Sequence, residues 1–164
     1  MAAPRSVRAT LGVMLAVAGM VTLCLGFKAP ALALFVLGLA SIEWDWRIRH
    51  PAFRGSVGER FECALVFYRA THRDRTNRTL HVIGIPLIVL GALGLFAAPP
   101  VYTALSAVWG VSLAAFAIGW LLNLVGHAAY EKRAPAFSED CLSFVAGPVW
   151  DLQQLFRPAR SRAE

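Results

Sequence analysis

The chain has 164 residues, 57% of them hydrophobic and 16% charged, with a mean hydropathy of +0.56. Soluble domains carry about 25% charged residues, so the default class is an integral membrane protein, and the length excludes a second, soluble domain. The formal net charge of +6 does not call for nucleic acid, because the basic residues flank apolar runs, where they meet anionic headgroups and fix orientation. Cys24, Cys63 and Cys141 are odd in number and far apart, which gives no disulfide framework and no tetrahedral cysteine site.

Residues 1–10 are short and basic (Arg5, Arg8), and Leu11 to Phe27 is then apolar without interruption, enough for a slightly short membrane-spanning helix. A cleaved secretory signal is the rival reading, with Ala29-Pro30-Ala31 or Ala31-Leu32-Ala33 as the cleavage site. The apolar sequence continues from Ala29 to Ile42, which favours a retained hairpin over residues 1–46, turning at Lys28-Ala29-Pro30. Trp44 and Trp46 fall where an aromatic belt meets headgroups.

From Glu43 to Arg78 the chain is polar and basic, and Phe61–Arg69 within it has the spacing of an amphipathic interfacial helix. Leu80 to about Ala98 is the third span, broken at Ala97-Ala98-Pro99-Pro100. Val101 to Val125 is the fourth and holds no charge; Gly91, Gly94, Gly110 and Gly119 permit close helix approach. Cys141–Val149 is apolar but short and interrupted by Gly147-Pro148, so it reads as interfacial or re-entrant, and the tail from Arg157 is basic. The expected fold is therefore all-α, with about four transmembrane helices plus interfacial or re-entrant helices. The distribution of Lys and Arg puts both termini in the cytoplasm.

On that topology His50, His72, His81 and His127 all fall on the cytoplasmic side, with His81 in the first turn of the third span. Because the third and fourth spans run antiparallel, His72, His81 and His127 can meet at one membrane face. Clustered imidazoles suit zinc, iron, copper or nickel. Glu131 follows His127 by four residues and shares its face if the helix continues; Glu131, His50 or water is the candidate fourth ligand. Asn77 has two readings, N-cap of the third span or a group that orients a ligand histidine. Asp74 reads as a surface partner for arginines, and Tyr68 and Tyr130 as belt residues. Ligation needs neutral imidazole, so metal affinity is expected to fall below a pKa of about 6.5.

At these residues the chain resembles the iron-dependent 2-hydroxy fatty acid dioxygenases of fungal endoplasmic reticulum and their bacterial relatives. The matching pieces are Tyr68 with His72-x4-Asn77-x3-His81-x2-Gly84-x-Pro86, then Gly126-His127-x3-Glu131-x3-Pro135-Ala136, then Gly147-Pro148, within residues 60–157. The resemblance implies a dioxygenase-like membrane domain over residues 47–164 that uses Fe2+ and dioxygen to shorten a 2-hydroxy long-chain fatty acid by one carbon. It implies His72, His81 and His127 as metal ligands and Glu131 and Asn77 as further catalytic candidates. Arg73, Arg78 and Arg133 are candidates for the substrate carboxylate. Thr71 stands where some members have a second, adjacent histidine, and Gln153 and Gln154 stand where many have glutamate. Expected partners are the 2-hydroxy fatty acid, dioxygen and membrane lipid, in a bacterial inner membrane or endoplasmic reticulum, with the site on the cytoplasmic face. The competing classes are another membrane metal enzyme, such as a zinc lipid hydrolase, and a non-enzymatic scaffold or lipid-binding protein.

Overall fold

A computed structural model describes residues 6–98 and 106–156. Arg5, the Pro99-Pro100 break, the start of the fourth span at Val101 and the tail from Arg157 lie outside them. The described residues form helices and no strand: α1 (Val7–Cys24), α2 (Lys28–Arg49), α3 (Val57–Thr71), α4 (Arg75–Ala97), α5 (Ser106–Val125) and α6 (Ser143–Phe156). A π-helical turn, Gly126–Glu131, prolongs α5, and a short 3-10 turn, Ala136–Ser138, precedes α6.

Among the described residues α1, α2, α4 and α5 are long and apolar enough to cross a membrane. Only 22–28% of their apolar windows is buried inside the protein, and side chains such as Met14, Leu37, Leu90 and Val111 stand exposed. Patches of that extent are rare on soluble monomers, whereas in a bilayer they face chains as apolar as themselves.

Small residues draw the spans into two antiparallel pairs. A Cβ on Gly12 would lie 2.8 Å from the Gly38 carbonyl oxygen, and one on Gly19 2.8 Å from that of Ala31, so α1 and α2 touch backbone to backbone. In α4 and α5 a Cβ on Gly91 would be 2.6 Å from Phe116 N, one on Gly119 2.6 Å from the Gly84 oxygen, and one on Gly94 would meet Ser112. Gly110 departs from expectation. It faces open space.

Three boundaries differ from the hydropathy reading, each for a local reason. The hairpin turns at Leu25–Phe27, where Gly26 takes φ 88°, and Lys28 already begins α2. Helix α4 starts at Arg75 because Asp74 caps it, its Oδ1 accepting from the N–H groups of Thr76 (2.8 Å) and Asn77 (2.9 Å). Asp74 is therefore the cap and Asn77 is not. His81 is the seventh residue of α4, about 9 Å from its start. Finally, α6 runs through Gly147-Pro148 instead of breaking there; an interior proline costs about 3 kcal/mol in isolation, offset here by the packing of α6 on α3. Ala64, Leu65, Tyr68, Ala146 and Trp150 form the buried cluster between them.

Trp46 is also not a belt residue. Trp44 is exposed, whereas Trp46 is buried, with the Arg60 guanidinium 3.7 Å from its ring centroid. Arg60 is itself buried and donates to both Asp140 oxygens (2.9 and 2.8 Å) and to Glu43 (2.7 Å). Desolvation opposes its charge, but those hydrogen bonds and charges more than offset it and raise its pKa. This arginine joins α2, α3 and the segment before α6, fixing the N-terminal hairpin to the rest.

Candidate metal centre

His72 is the C-cap of α3, His81 lies on α4, and His127 is the second residue of the π-helical turn. All three are buried. Their ring centroids form a nearly equilateral triangle, with His72–His81 4.8 Å, His72–His127 4.9 Å and His81–His127 4.9 Å, each pair close to perpendicular. One ring nitrogen from each lies within 4.8 Å of the other two, a group able to hold a metal ion.

The backbone decides which nitrogens are offered. His72 Nδ1 lies 2.9 Å from the Tyr68 carbonyl and 3.1 Å from the Thr71 hydroxyl, and His81 Nδ1 lies 2.9 Å from the Asn77 carbonyl. A carbonyl only accepts, so both Nδ1 atoms carry the proton and both Nε2 atoms are bare. His81 Nε2 and His127 Nε2 are 3.2 Å apart, and His72 Nε2 and His127 Nδ1 are buried without a partner. Nitrogens about 2.1 Å from one ion at angles of about 90–110° stand roughly 3.0–3.4 Å apart. The His81–His127 spacing falls in that range, and an ion there would also occupy the orphaned lone pair of His72 Nε2. The residues fit a borderline metal. Burial, with the neighbouring His81 next in size, pushes His72 down to about 3, so it stays neutral well below its usual range. The fall in affinity expected near 6.5 therefore moves to lower pH for this ligand.

The π turn and its partners set the third imidazole. A wider turn shifts the register of side chains on α5, and the chain leaves it through Lys132 in the left-handed region (φ 51°). Glu131 Oε1 accepts from the Asp74 N–H (2.8 Å) and from Asn77 Nδ2 (3.2 Å). Asn77 is fully buried, and a Cβ on Gly126 would run into its Oδ1. Thus Asn77 holds His81 through its carbonyl and the end of α5 through its side chain. Glu131 is not among the groups that converge with the imidazoles. Tyr68 stacks on His72 at 3.8 Å.

The other candidates are dispersed. His50 is exposed at the end of α2, stacked on Trp46 at 4.2 Å. Arg73 is exposed; Arg78 lies over the Trp150 ring (4.7 Å). Arg133 is exposed, 3.4 Å from Glu139, and is among the charges that lower His72.

The triad closes one end of a cavity of about 110 Å³ whose walls are otherwise mainly apolar, including Ile85, Leu124, Phe137 and Pro148. Two polar residues of this wall, Asn123 and Ser143, were not singled out from sequence, and Tyr68, expected in the aromatic belt, is instead buried here with an orphaned hydroxyl. Asn123 had a signal, since it is polar in a charge-free span and four residues before His127. Asp151 is buried near Tyr68. Its Oδ2 and the Tyr68 hydroxyl make no hydrogen bond by geometry, yet each affects the other's ionisation. Burial raises the Asp151 carboxyl to about 7.

Among known proteins, neither the curated sequences nor the solved structures give a match. The family model described as 2-hydroxy-palmitic acid dioxygenase Mpo1-like matches residues 59–158, more than half of the chain and every residue of the imidazole cluster. The chain belongs to the Mpo1-like family.

Proposed function

We propose that this protein is an Fe2+-dependent membrane dioxygenase that removes one carbon from a 2-hydroxy long-chain fatty acid. The observation that carries the reading is the convergence of three buried imidazoles at the end of an apolar cavity, in a chain whose family is named for such a dioxygenase. In this reading His72, His81 and His127 hold the metal. The reaction balances without an added reductant: one 2-hydroxy acid and one dioxygen give the acid shorter by one carbon, carbon dioxide and water.

Iron, when bound, supplies the redox chemistry that dioxygen needs. The protein's part is positional. The Tyr68 and Asn77 carbonyls hold two imidazoles with Nε2 bare, and the apolar wall keeps bulk water from the cluster. Asn77 and Glu131 act as positioning residues, clamping the two helices that carry His81 and His127. Arg133, within electrostatic reach of His72, is the best carboxylate partner of the three arginines, and Arg73 and Arg78 are secondary. With the site on the cytoplasmic face and both termini on that side, a fatty acid in the bilayer presents its carboxylate at the depth of the cluster. Residues 1–46 form a hairpin added to a catalytic domain over residues 47–164.

Metal analysis of the purified protein beside His72→Ala, His81→Ala and His127→Ala is the direct test, joined to an assay on 2-hydroxypalmitic acid with and without oxygen. The reading requires iron in the wild type, loss of metal in each variant, and an oxygen-dependent product one carbon shorter. Anaerobic cleavage of an amide or ester lipid with zinc loaded would identify a hydrolase instead. Unchanged metal content in all three variants would leave a scaffold.

A further inference from the structure

A second cavity, of about 150 Å³, lies between the N-terminal hairpin and the α4–α5 pair. Its lining is apolar throughout, with Met20 and Leu23 from α1, Phe35 from α2, Ala92 from α4 and Phe116 from α5. Ile88, Trp120 and Phe144 belong to the walls of both this cavity and the one that ends on the imidazoles. The two spaces therefore adjoin across these three residues.

Each helix of the central pair lines the two cavities in succession along one stripe. On α4 the stripe runs His81, Ile85, Ile88, Ala92, Phe96; on the π turn and α5, in the opposite chain direction, it runs His127, Asn123, Trp120, Phe116. Spacings of three and four residues keep each set on one face. The rise from His81 to Phe96 is about 22 Å, within a hydrocarbon core about 30 Å thick. The two cavities thus lie in line over that depth, from the metal-binding group to α1 and α2.

We propose that the second cavity receives the distal half of the substrate's acyl chain, which passes between Ile88, Trp120 and Phe144, and that the N-terminal hairpin sets the longest chain accepted. This rests on the reading of the imidazole cluster as the site for a 2-hydroxy fatty acid head. A tail that leaves bilayer hydrocarbon for an apolar cavity gains nothing from apolar burial as such, so chain length is discriminated by fit. A short chain leaves wall atoms without contacts, and a long one meets Met20, Leu23 and Phe35. The outcome is an optimum length. The hairpin residues lie outside the family match at 59–158, so that optimum belongs to this chain and not to the shared family region.

The test uses the metal-loaded protein, kept anaerobic, in phospholipid nanodiscs and two photoreactive forms of 2-hydroxypalmitic acid, one carrying a diazirine at the methyl end and one near the carboxyl end. The methyl-end probe is expected to label the α1 and α2 segments around Met20–Leu23 and Ala31–Phe35, and the carboxyl-end probe the surroundings of Leu124 and Phe137. Excess unlabelled 2-hydroxypalmitic acid should suppress both. Ala92→Phe, which fills the second cavity away from the histidines, should reduce methyl-end labelling of the hairpin at least tenfold and leave carboxyl-end labelling in place; Ala92→Val should give a smaller loss. Saturable carboxyl-end labelling with methyl-end labelling scattered over lipid-facing residues, or unmoved by Ala92→Phe, would overturn the tail path and leave the functional reading standing. Absence of saturable labelling by either probe would overturn the substrate reading and this inference with it.

Discussion

Replacing Glu131 by glutamine and by alanine separates a carboxylate that ligates metal from one that positions a ligand. Its Oε1 receives two donors, the Asp74 N–H at 2.8 Å and Asn77 Nδ2 at 3.2 Å, across the gap between the start of α4 and the end of α5. Hydrogen bonds to a charged acceptor contribute about 1.5–3 kcal/mol each, but Glu131 is half-exposed and water replaces part of the loss. Glu131→Ala should then cost about 2–3 kcal/mol of stability. Loosening a group that orients a ligand lowers metal affinity about 10–100-fold, and that is the expected loss in the alanine variant. Glutamine keeps a carbonyl oxygen where both donors point and loses only the charge assistance. Glu131→Gln should stay within about 1 kcal/mol of wild type and within about tenfold in metal affinity. Thermal unfolding and chelator-competition titration read the two quantities separately. If Glu131→Gln keeps its stability and loses metal as severely as Glu131→Ala, the carboxylate is a ligand and the positioning argument fails.

The other predictions rest on separate parts of the fold. His72→Gln, His81→Gln and His127→Gln should each abolish stoichiometric metal, while His50→Gln, changed on an exposed ring stacked on Trp46, should not; equal losses in all four by elemental analysis would contradict the geometry. Asp151 has a folded-state pKa of about 7 against 3.8 unfolded, so its contribution is fully present below 3.8 and is lost as pH rises to about 7. A shift of about three units corresponds to about 4 kcal/mol, and unfolding followed from pH 4 to 8 should show that loss in wild type and a flatter profile in Asp151→Asn. Gly91→Ala places a Cβ 2.6 Å from Phe116 N, where backbone cannot yield, and should cost about 1–3 kcal/mol; Gly110→Ala, facing open space, should be neutral by the same thermal measurement. Removing metal by chelation should lower the melting temperature of wild type and leave His81→Gln unmoved, because an ion that binds only the folded state stabilises it by about 4 kcal/mol at a thousandfold excess over its Kd.

Hydropathy located the four spans because membrane-crossing length and continuity are properties of composition. It misplaced the start of α4 because Arg75–Arg78 are polar and helical at once, and only the cap at Asp74 marks that boundary. Trp46 and Arg60 illustrate the opposite failure. Both belong to residue types expected at headgroups, yet Asp140, eighty positions from Arg60, satisfies the guanidinium and lets both be buried. No local pattern carries a contact of that separation. The meeting of His72, His81 and His127 was legible because antiparallel spans fix the depth of their ends. The choice of nitrogen was not, since it depends on carbonyls whose positions follow from helix ends. Asn123 could have been found: an amide in an otherwise charge-free span needs a polar reason to be there.

The energetics of the cluster explain why so many of its neighbours are small or polar. Two imidazoles locked by backbone carbonyls turn bare Nε2 atoms toward the cluster, and His72 Nε2 is buried with no hydrogen-bond partner among the described residues. A buried nitrogen of that kind costs about 1–3 kcal/mol, which an ion held by the cluster would offset. The arrangement persists because its supports are rigid. Gly126 lets Asn77 lie against the π turn, Gly147 lets α6 lie against the Tyr68 ring at about 2.9 Å from a would-be Cβ, and Tyr68 in turn stacks on His72. The matched motif glycines at 126 and 147 are thus close-approach positions around the site and not turns. In this chain the motif residues set distances between helices, and the proposed metal site depends on those distances.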